Sequence, residues 1–224
     1  MTTTSNIASW VTDRAAADPG LPAIKQGDTV LSYGDLDAAS ARFATVLADH
    51  GVRAGDRVAL TMPNVAYFPV VYYAILRLGA IVVPMNPLLK AGEISYTWTD
   101  CGAKVAVVFP LFAEEAAKAA DVTGTDVIVT TPGELEAQLA GTEPFPDLAE
   151  RAAEDTAVIL YTSGTTGQPR ARSSPTPTCP ATSGPRSRPC CRWVRVTWSS
   201  AGCRSSTPSV RPWVSTRRWP AGPA

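Results

Sequence analysis

A chain of 224 residues, 45% of them hydrophobic, has room for one domain or two small ones and enough apolar side chains for a sizeable core. Its formal charge of zero hides a division: residues 1–170 carry 11 Lys+Arg against 20 Asp+Glu, whereas residues 171–224 carry nine Arg and no other charged side chain. That contrast excludes reading the chain as one uniform body, so the two segments are taken apart.

The first segment alternates helical and extended signals. Ile7 to Ala17 reads as a short amphipathic helix closed by Asp18-Pro19-Gly20. Ala23-Ile24 and Thr29-Val30-Leu31 flank the turn Gln26-Gly27-Asp28, the pattern of a hairpin. Asp35 to His50 places Leu36, Ala39, Phe43 and Leu47 at helical spacing, and Gly51 stops it. Arg57 to Met62 reads as a strand, Val65 to Leu78 as a mostly buried helix ending at Gly79, and Ile81-Val82-Val83 as a short strand before Pro84. Then follow a helix over Gly92 to Cys101, a strand over Lys104 to Phe109, and an Ala-rich helix over Leu111 to Ala120. A strand over Asp126 to Thr130, a helix over Glu134 to Leu139, a loop, and a last strand over Ala157 to Tyr161 complete the series. Short apolar strands separated by helices predict an α/β fold, a Rossmann-like parallel sheet with flanking helices centred on residues 50–140.

The segment after Arg170 contains no Leu, Ile, Met, Phe, Tyr, Asn, Gln, Lys, Asp or Glu. Such a composition cannot bury enough apolar surface to offset about 1–2 kcal/mol per ordered residue, so a disordered tail is expected over 170–224, after a domain spanning 1–169. Cysteine follows the same division, with Cys101 alone in the body and Cys179, Cys190, Cys191 and Cys203 in the tail. The spacing is not that of a zinc site, and His50 is the only histidine, so no metal ligand is assigned. A lone thiol in the body fits a reducing cytosol. The polar stretch Met1 to Ile7 lacks the form of a secretory signal. Val65 to Val83 is interrupted by Pro69, Arg77 and Gly79, so it does not read as a transmembrane segment. A soluble, cytoplasmic chain is expected.

The run that carries chemistry is Tyr161-Thr162-Ser163-Gly164-Thr165-Thr166-Gly167-Gln168-Pro169, directly after the strand signal Ala157-Val158-Ile159-Leu160. Glycines let a backbone bend closely around an anion and turn its N–H groups inward, and the hydroxyls add donors for phosphate oxygens. The spacing and lysine of a Walker A loop are absent. The full string resembles the phosphate-binding signature of the adenylate-forming (AMP-binding) superfamily, roughly [YF]-T-S-G-[ST]-T-G-x-P-K-G, at nine consecutive positions. The chain departs from it at the lysine, where Arg170 stands, and at the next glycine, where Ala171 stands. Three upstream stretches also resemble family segments in order and spacing: Leu31-Ser32-Tyr33-Gly34-Asp35-Leu36, Arg53-Ala54-Gly55-Asp56-Arg57-Val58-Ala59, and Leu78-Gly79-Ala80 through Pro84-Met85-Asn86-Pro87. Read singly, each is structural.

The resemblance, to acyl-CoA synthetases of the long-chain fatty-acid–CoA ligase type, implies ATP-dependent activation of a carboxylic acid to acyl-AMP and transfer to coenzyme A, with Mg²⁺ as the metal. It implies that Thr162, Ser163, Thr165 and Thr166 supply hydroxyls to the ATP phosphates and that Gly164 and Gly167 give close backbone approach. No catalytic residue is assigned, because the family's remaining elements lie C-terminal to this point. Cys101, at a helix end with no histidine near in sequence, reads as a small buried hydrophobe, and His50 as a partner of its helix C-terminus. Asp35, Asp37, Glu114 and Glu115 read as solvated carboxylates on helix surfaces.

The tail has the alphabet of a GC-rich gene read out of phase. Synonymous codons AGG GCG CGG AGC TCA CCC ACG CCA ACC TGC spell Arg170 to Cys179. One A restored in front makes the same bases read Lys-Gly-Ala-Glu-Leu-Thr-His-Ala-Asn-Leu, which supplies the missing lysine and glycine. In the same phase Gly202 to Val214 can encode Leu-Pro-Leu-Phe-His-Pro-Phe-Gly-Gln-Thr-Val-Gly-Leu, which resembles a later P-x-F-H segment of the family. The expectation is an N-terminal fragment, frameshifted at about Arg170 and inactive. Two other classes fit parts of the sequence. One is a non-catalytic α/β domain kept for partner binding. The other is an α/β domain whose tail of arginines with Trp193, Trp198, Trp213 and Trp219 tracks nucleic acid; the shifted phase accounts for the same residues, and no nucleic-acid partner is expected.

Overall fold

A computed structural model describes residues 6–162 and 170–175. The chain opens with α1 (Ser9–Ala17) and a hairpin of β1 (Pro22–Gln26) and β2 (Thr29–Ser32), paired antiparallel across Gly27 and Asp28. Helix α2 (Tyr33–Asp49) begins in a capping box. The Asp35 backbone N–H donates to Ser32 Oγ at 3.1 Å, and the Ser32 N–H and hydroxyl donate to Asp35 Oδ2 at 3.1 and 2.6 Å. These bonds hold the Asp35 carboxyl below its ordinary pKa, so the cap's contribution is present at neutral pH and is lost as pH falls through that lowered value.

The main sheet follows the expected alternation: β3 (Arg57–Thr61), α3 (Tyr67–Arg77), β4 (Ile81–Pro84), α4 (Ala91–Cys101), β5 (Ala103–Val108), α5 (Ala113–Thr123), β6 (Asp126–Val129), α6 (Glu134–Ala140) and β7 (Thr156–Thr162). The strands lie in the order β6-β5-β3-β4-β7 and all run parallel. Both faces are covered, as a parallel sheet requires. Val58 and Leu60 of β3 and Val105 and Val107 of β5 pack with α1, α2, α3 and α6. Ala59 of β3 and Ala106 and Val108 of β5 pack with Ile94 and Trp98 of α4 and with Ala116 and Ala119 of α5. The period-two alternation of these strands thus divides the core between two layers of helices.

Three differences from the sequence reading have physical causes. The Ala-rich helix starts at Ala113, because Pro110–Phe112 forms a separate 3₁₀ turn led by the proline. Asp37 is no solvated carboxylate: its Oδ1 pairs with the Arg77 guanidinium and accepts the Thr12 hydroxyl at 3.0 Å, which joins α1, α2 and α3. Finally, Arg170–Pro175, within the segment expected to be disordered, forms β8, antiparallel to β7. Ladder bonds are made by the backbone, so β8 can pair without aliphatic side chains. β7 thus has β4 on one side, in register at Val82 and Val158, and β8 on the other. The disorder expected for 176–224 lies outside the described residues.

Arg77 is only 5% exposed. Asp37→Ala leaves this cation without its counterion and should cost about 3–5 kcal/mol, whereas Asp37→Leu combined with Arg77→Met should be close to neutral; urea unfolding measures both. Gly79 adopts φ +68°, and a Cβ there would lie 2.9 Å from Ala149 Cβ. Gly79→Ala should therefore lose about 2–4 kcal/mol. Gly27→Ala, at φ +59° with no atom within 4 Å of the new Cβ, should lose only about 1–2 kcal/mol in the same assay.

Candidate functional site

The run Tyr161–Pro169 starts at the carboxyl end of β7. Tyr161 and Thr162 are the last residues of that strand, and Thr162 pairs with Arg170 at the start of β8. Residues 163–169 therefore connect two antiparallel neighbours whose ends are side by side. Among the predicted site residues, Thr162 is placed at this junction, while Ser163, Gly164, Thr165, Thr166 and Gly167 lie outside the described residues. Strand β4 is the other neighbour of β7, in register at Val82 and Val158. Its carboxyl end leads into Met85-Asn86-Pro87, so the last part of the third upstream stretch and the start of the loop leave the same edge of the sheet. The carboxyl edge of a parallel sheet is where ligands of α/β proteins bind.

Several contacts hold this edge. The Tyr161 hydroxyl donates to Asp100 Oδ2 at 2.6 Å and so ties the end of β7 to the last turn of α4. Burial, reinforced by this bond, pushes the Tyr161 phenol far above its usual range and keeps it a neutral donor. At the amino edge of the sheet Arg57, the first residue of β3, secures the end of the same helix, with Nε donating to the Cys101 carbonyl and Nη2 to the Gly102 carbonyl, both at 2.7 Å. Burial pushes the Cys101 thiol up, which makes it a poor nucleophile, in keeping with a packing role. Asn86 Oδ1 accepts the Leu88 N–H at 3.0 Å and shapes the turn after β4, while the Trp98 indole N–H points at Met85 Sδ, 3.2 Å away.

The other upstream stretches serve the opposite end of the sheet. The Gly55 N–H donates to the Gly79 carbonyl at 2.9 Å, and the Ile81 N–H to the Asp56 carbonyl at 2.7 Å, binding the entries of β3 and β4 to each other. Asp56 Oδ2 accepts the Arg53 N–H at 2.8 Å and the Lys104 ammonium at 2.9 Å. Leu31–Leu36 forms the end of β2 and the cap of α2. These stretches are scaffold, as read from their residues. His50 caps α2 and also lies 2.6 Å from Asp126 Oδ2 at the start of β6, a pairing that sequence separation concealed. Tyr161–Asp100 was likewise missed; a tyrosine closing an apolar strand was its only signal. Among the described residues no group of three or more His, Cys, Asp or Glu is placed to hold a metal ion. No described helix is long and apolar enough to cross a membrane.

Comparison with known proteins places this geometry. Residues 11–171 match the family model described as AMP-binding enzyme. The chain is 37% identical over 164 residues to a feruloyl-CoA synthase of an Amycolatopsis species, a match covering 73% of this chain and 32% of that protein. It is 35% identical over 170 residues to the long-chain-fatty-acid–CoA ligase FadD13 of Mycobacterium tuberculosis, covering 74% of this chain and 34% of the ligase. Among solved structures, ATP-bound MatB from Rhodopseudomonas palustris superposes with a TM-score of 0.70 at 31% identity, over 78% of this chain and 35% of MatB. The chain thus spans about a third of the length of the curated relatives it matches. With the sheet, the run that ends β7 and this match in agreement, the chain belongs to the AMP-binding enzyme family.

Proposed function

We propose that this chain is the N-terminal part of an ATP-dependent acyl-CoA ligase and that it cannot complete the reaction by itself. The observation that carries the reading is the nine-residue run Tyr161–Pro169, leaving the carboxyl end of β7 inside the segment that matches the family. In the whole enzyme a carboxylate oxygen attacks the α-phosphorus of ATP, the bond to the β-phosphate oxygen breaks, and acyl-AMP and pyrophosphate form. The sulfur of coenzyme A then attacks the acyl carbon, its proton is lost to solvent or base, and AMP departs. Negative charge grows on the phosphorus oxygens and the leaving pyrophosphate, so donors aimed there lower the barrier.

The donor set fits a polyphosphate. Thr162, Ser163, Thr165 and Thr166 offer hydroxyls, Gly164 and Gly167 allow N–H groups to converge, and no carboxylate interrupts the run. Mg²⁺ would neutralise phosphate charge when bound; no residue of this chain is assigned to it. The acid is a fatty or aromatic carboxylic acid, the classes named among the relatives. The enzyme works in the cytoplasm, in keeping with the single thiol of the body.

The incompleteness follows from the residues after the loop. The family match stops at 171, and no acidic residue, lysine or leucine follows it. We read the tail as the product of a shifted reading phase, with one base missing near codon 170, and its nine arginines as a by-product of that shift, not a nucleic-acid groove.

The purified chain should show no pyrophosphate–ATP exchange dependent on a fatty or aromatic acid; exchange above the acid-free blank would refute the incompleteness. Restoring one base before codon 170 should open a long continuation whose product forms acyl-CoA, and stop codons throughout that phase would sink the frame argument. In the restored enzyme, Thr165→Val should lower kcat/KM by about 10²-fold, the scale for losing one donor to developing charge.

A further inference from the structure

We propose that Arg170–Pro175 serves as the chain's own edge strand, occupying the free side of β7 and keeping a second copy from pairing there. The inference does not depend on the ligase reading. Strand β7 meets β4 in register at Val82 and Val158, whereas its pairs with β8 run from Thr156 with Pro175 to Thr162 with Arg170. Beyond Val158 the register partners of β7 are Ser173, Arg172, Ala171 and Arg170, all on β8.

The two strands have opposite characters. Ala157-Val158-Ile159-Leu160-Tyr161-Thr162 is an uncharged run free of proline and glycine and rich in strand-favouring residues. A run of that kind with unpaired N–H and C=O groups is a template for adding strands from other molecules. Leu160 is 45% exposed even with β8 in place, so β7 offers apolar surface along with its edge. Arg170-Ala171-Arg172-Ser173-Ser174-Pro175 has two arginines and a closing proline, residues that discourage a further strand. Pairing with β7 uses only the backbone, so a segment poor in aliphatic residues suffices. Composition changes at 170, but the sheet continues to 175. The opposite edge strand, β6, has only four residues and starts with Asp126 held by His50, so it is the weaker template.

Hydrogen exchange on the full chain tests this. In the unsubstituted protein the amides through which β7 and β8 bond each other, alternate residues within 159–161 and 171–174, should exchange at least about 100-fold slower than free peptide; free exchange at all of 171–174 would overturn the proposal. Arg172→Pro with Ser173→Pro should remove that protection, keep it at Leu60 and Val107, and shift the protein to larger species in size-exclusion chromatography. Alanine at Ser173 and Ser174 should change neither readout. Unchanged β7 protection or unchanged elution in the proline variant would contradict an edge-covering role. Loss of protection reaching Leu60 and Val107 would contradict it too, because β8 would then be part of the core.

Discussion

Five parallel strands that must be dry on both faces set the terms for everything else in this protein. In the central strands β3 and β5 almost no face is given to water, so they need apolar residues at odd and even positions alike, and parallel connections must carry a helix. Val58-Ala59-Leu60 and Val105-Ala106-Val107-Val108 meet that demand, with larger residues toward the layer of α2 and α3 and mostly smaller ones toward α4 and α5. The alanines of β3 and β5 leave room for Trp98, which is 1% exposed and the largest fully buried side chain among the described residues. Arg77, the one buried cation among the described residues, is tolerated because Asp37 stands opposite it on α2.

Most of the elements were legible because each carries its own local signal. Gly51 and Gly79 mark helix ends, Gly27-Asp28 marks the hairpin, and short β-branched runs mark β4 and β6. Long-range pairing leaves no such mark. Nothing in the run around Asp37 announces that it faces a residue 40 positions away, so solvent was the default reading. The same limit hid His50 with Asp126 and Tyr161 with Asp100. Strand β8 was illegible for another reason: composition reports whether side chains can build a core, and a backbone ladder on an existing edge does not need one.

The site divides along similar lines. The run Tyr161–Pro169 was readable as a string because its glycines and hydroxyls are too specific to arise from packing needs. What supports it was not readable: the Asp100 carboxylate that takes the Tyr161 hydroxyl, and the Arg57 fork that secures the end of α4, come from segments whose own sequences read as ordinary helix and strand ends. The Tyr161–Asp100 bond restrains the strand from which the run departs.

The bond from the Gly55 N–H to the Gly79 carbonyl has a wider meaning. It ties β3 and β4 at their feet, so their alignment is decided before either strand reaches its carboxyl end. Mutations among the turns above the sheet can then accumulate without sliding one strand past another. A fold built this way separates alignment from selectivity, and related enzymes can diversify in the acids they accept while inheriting the same foundation.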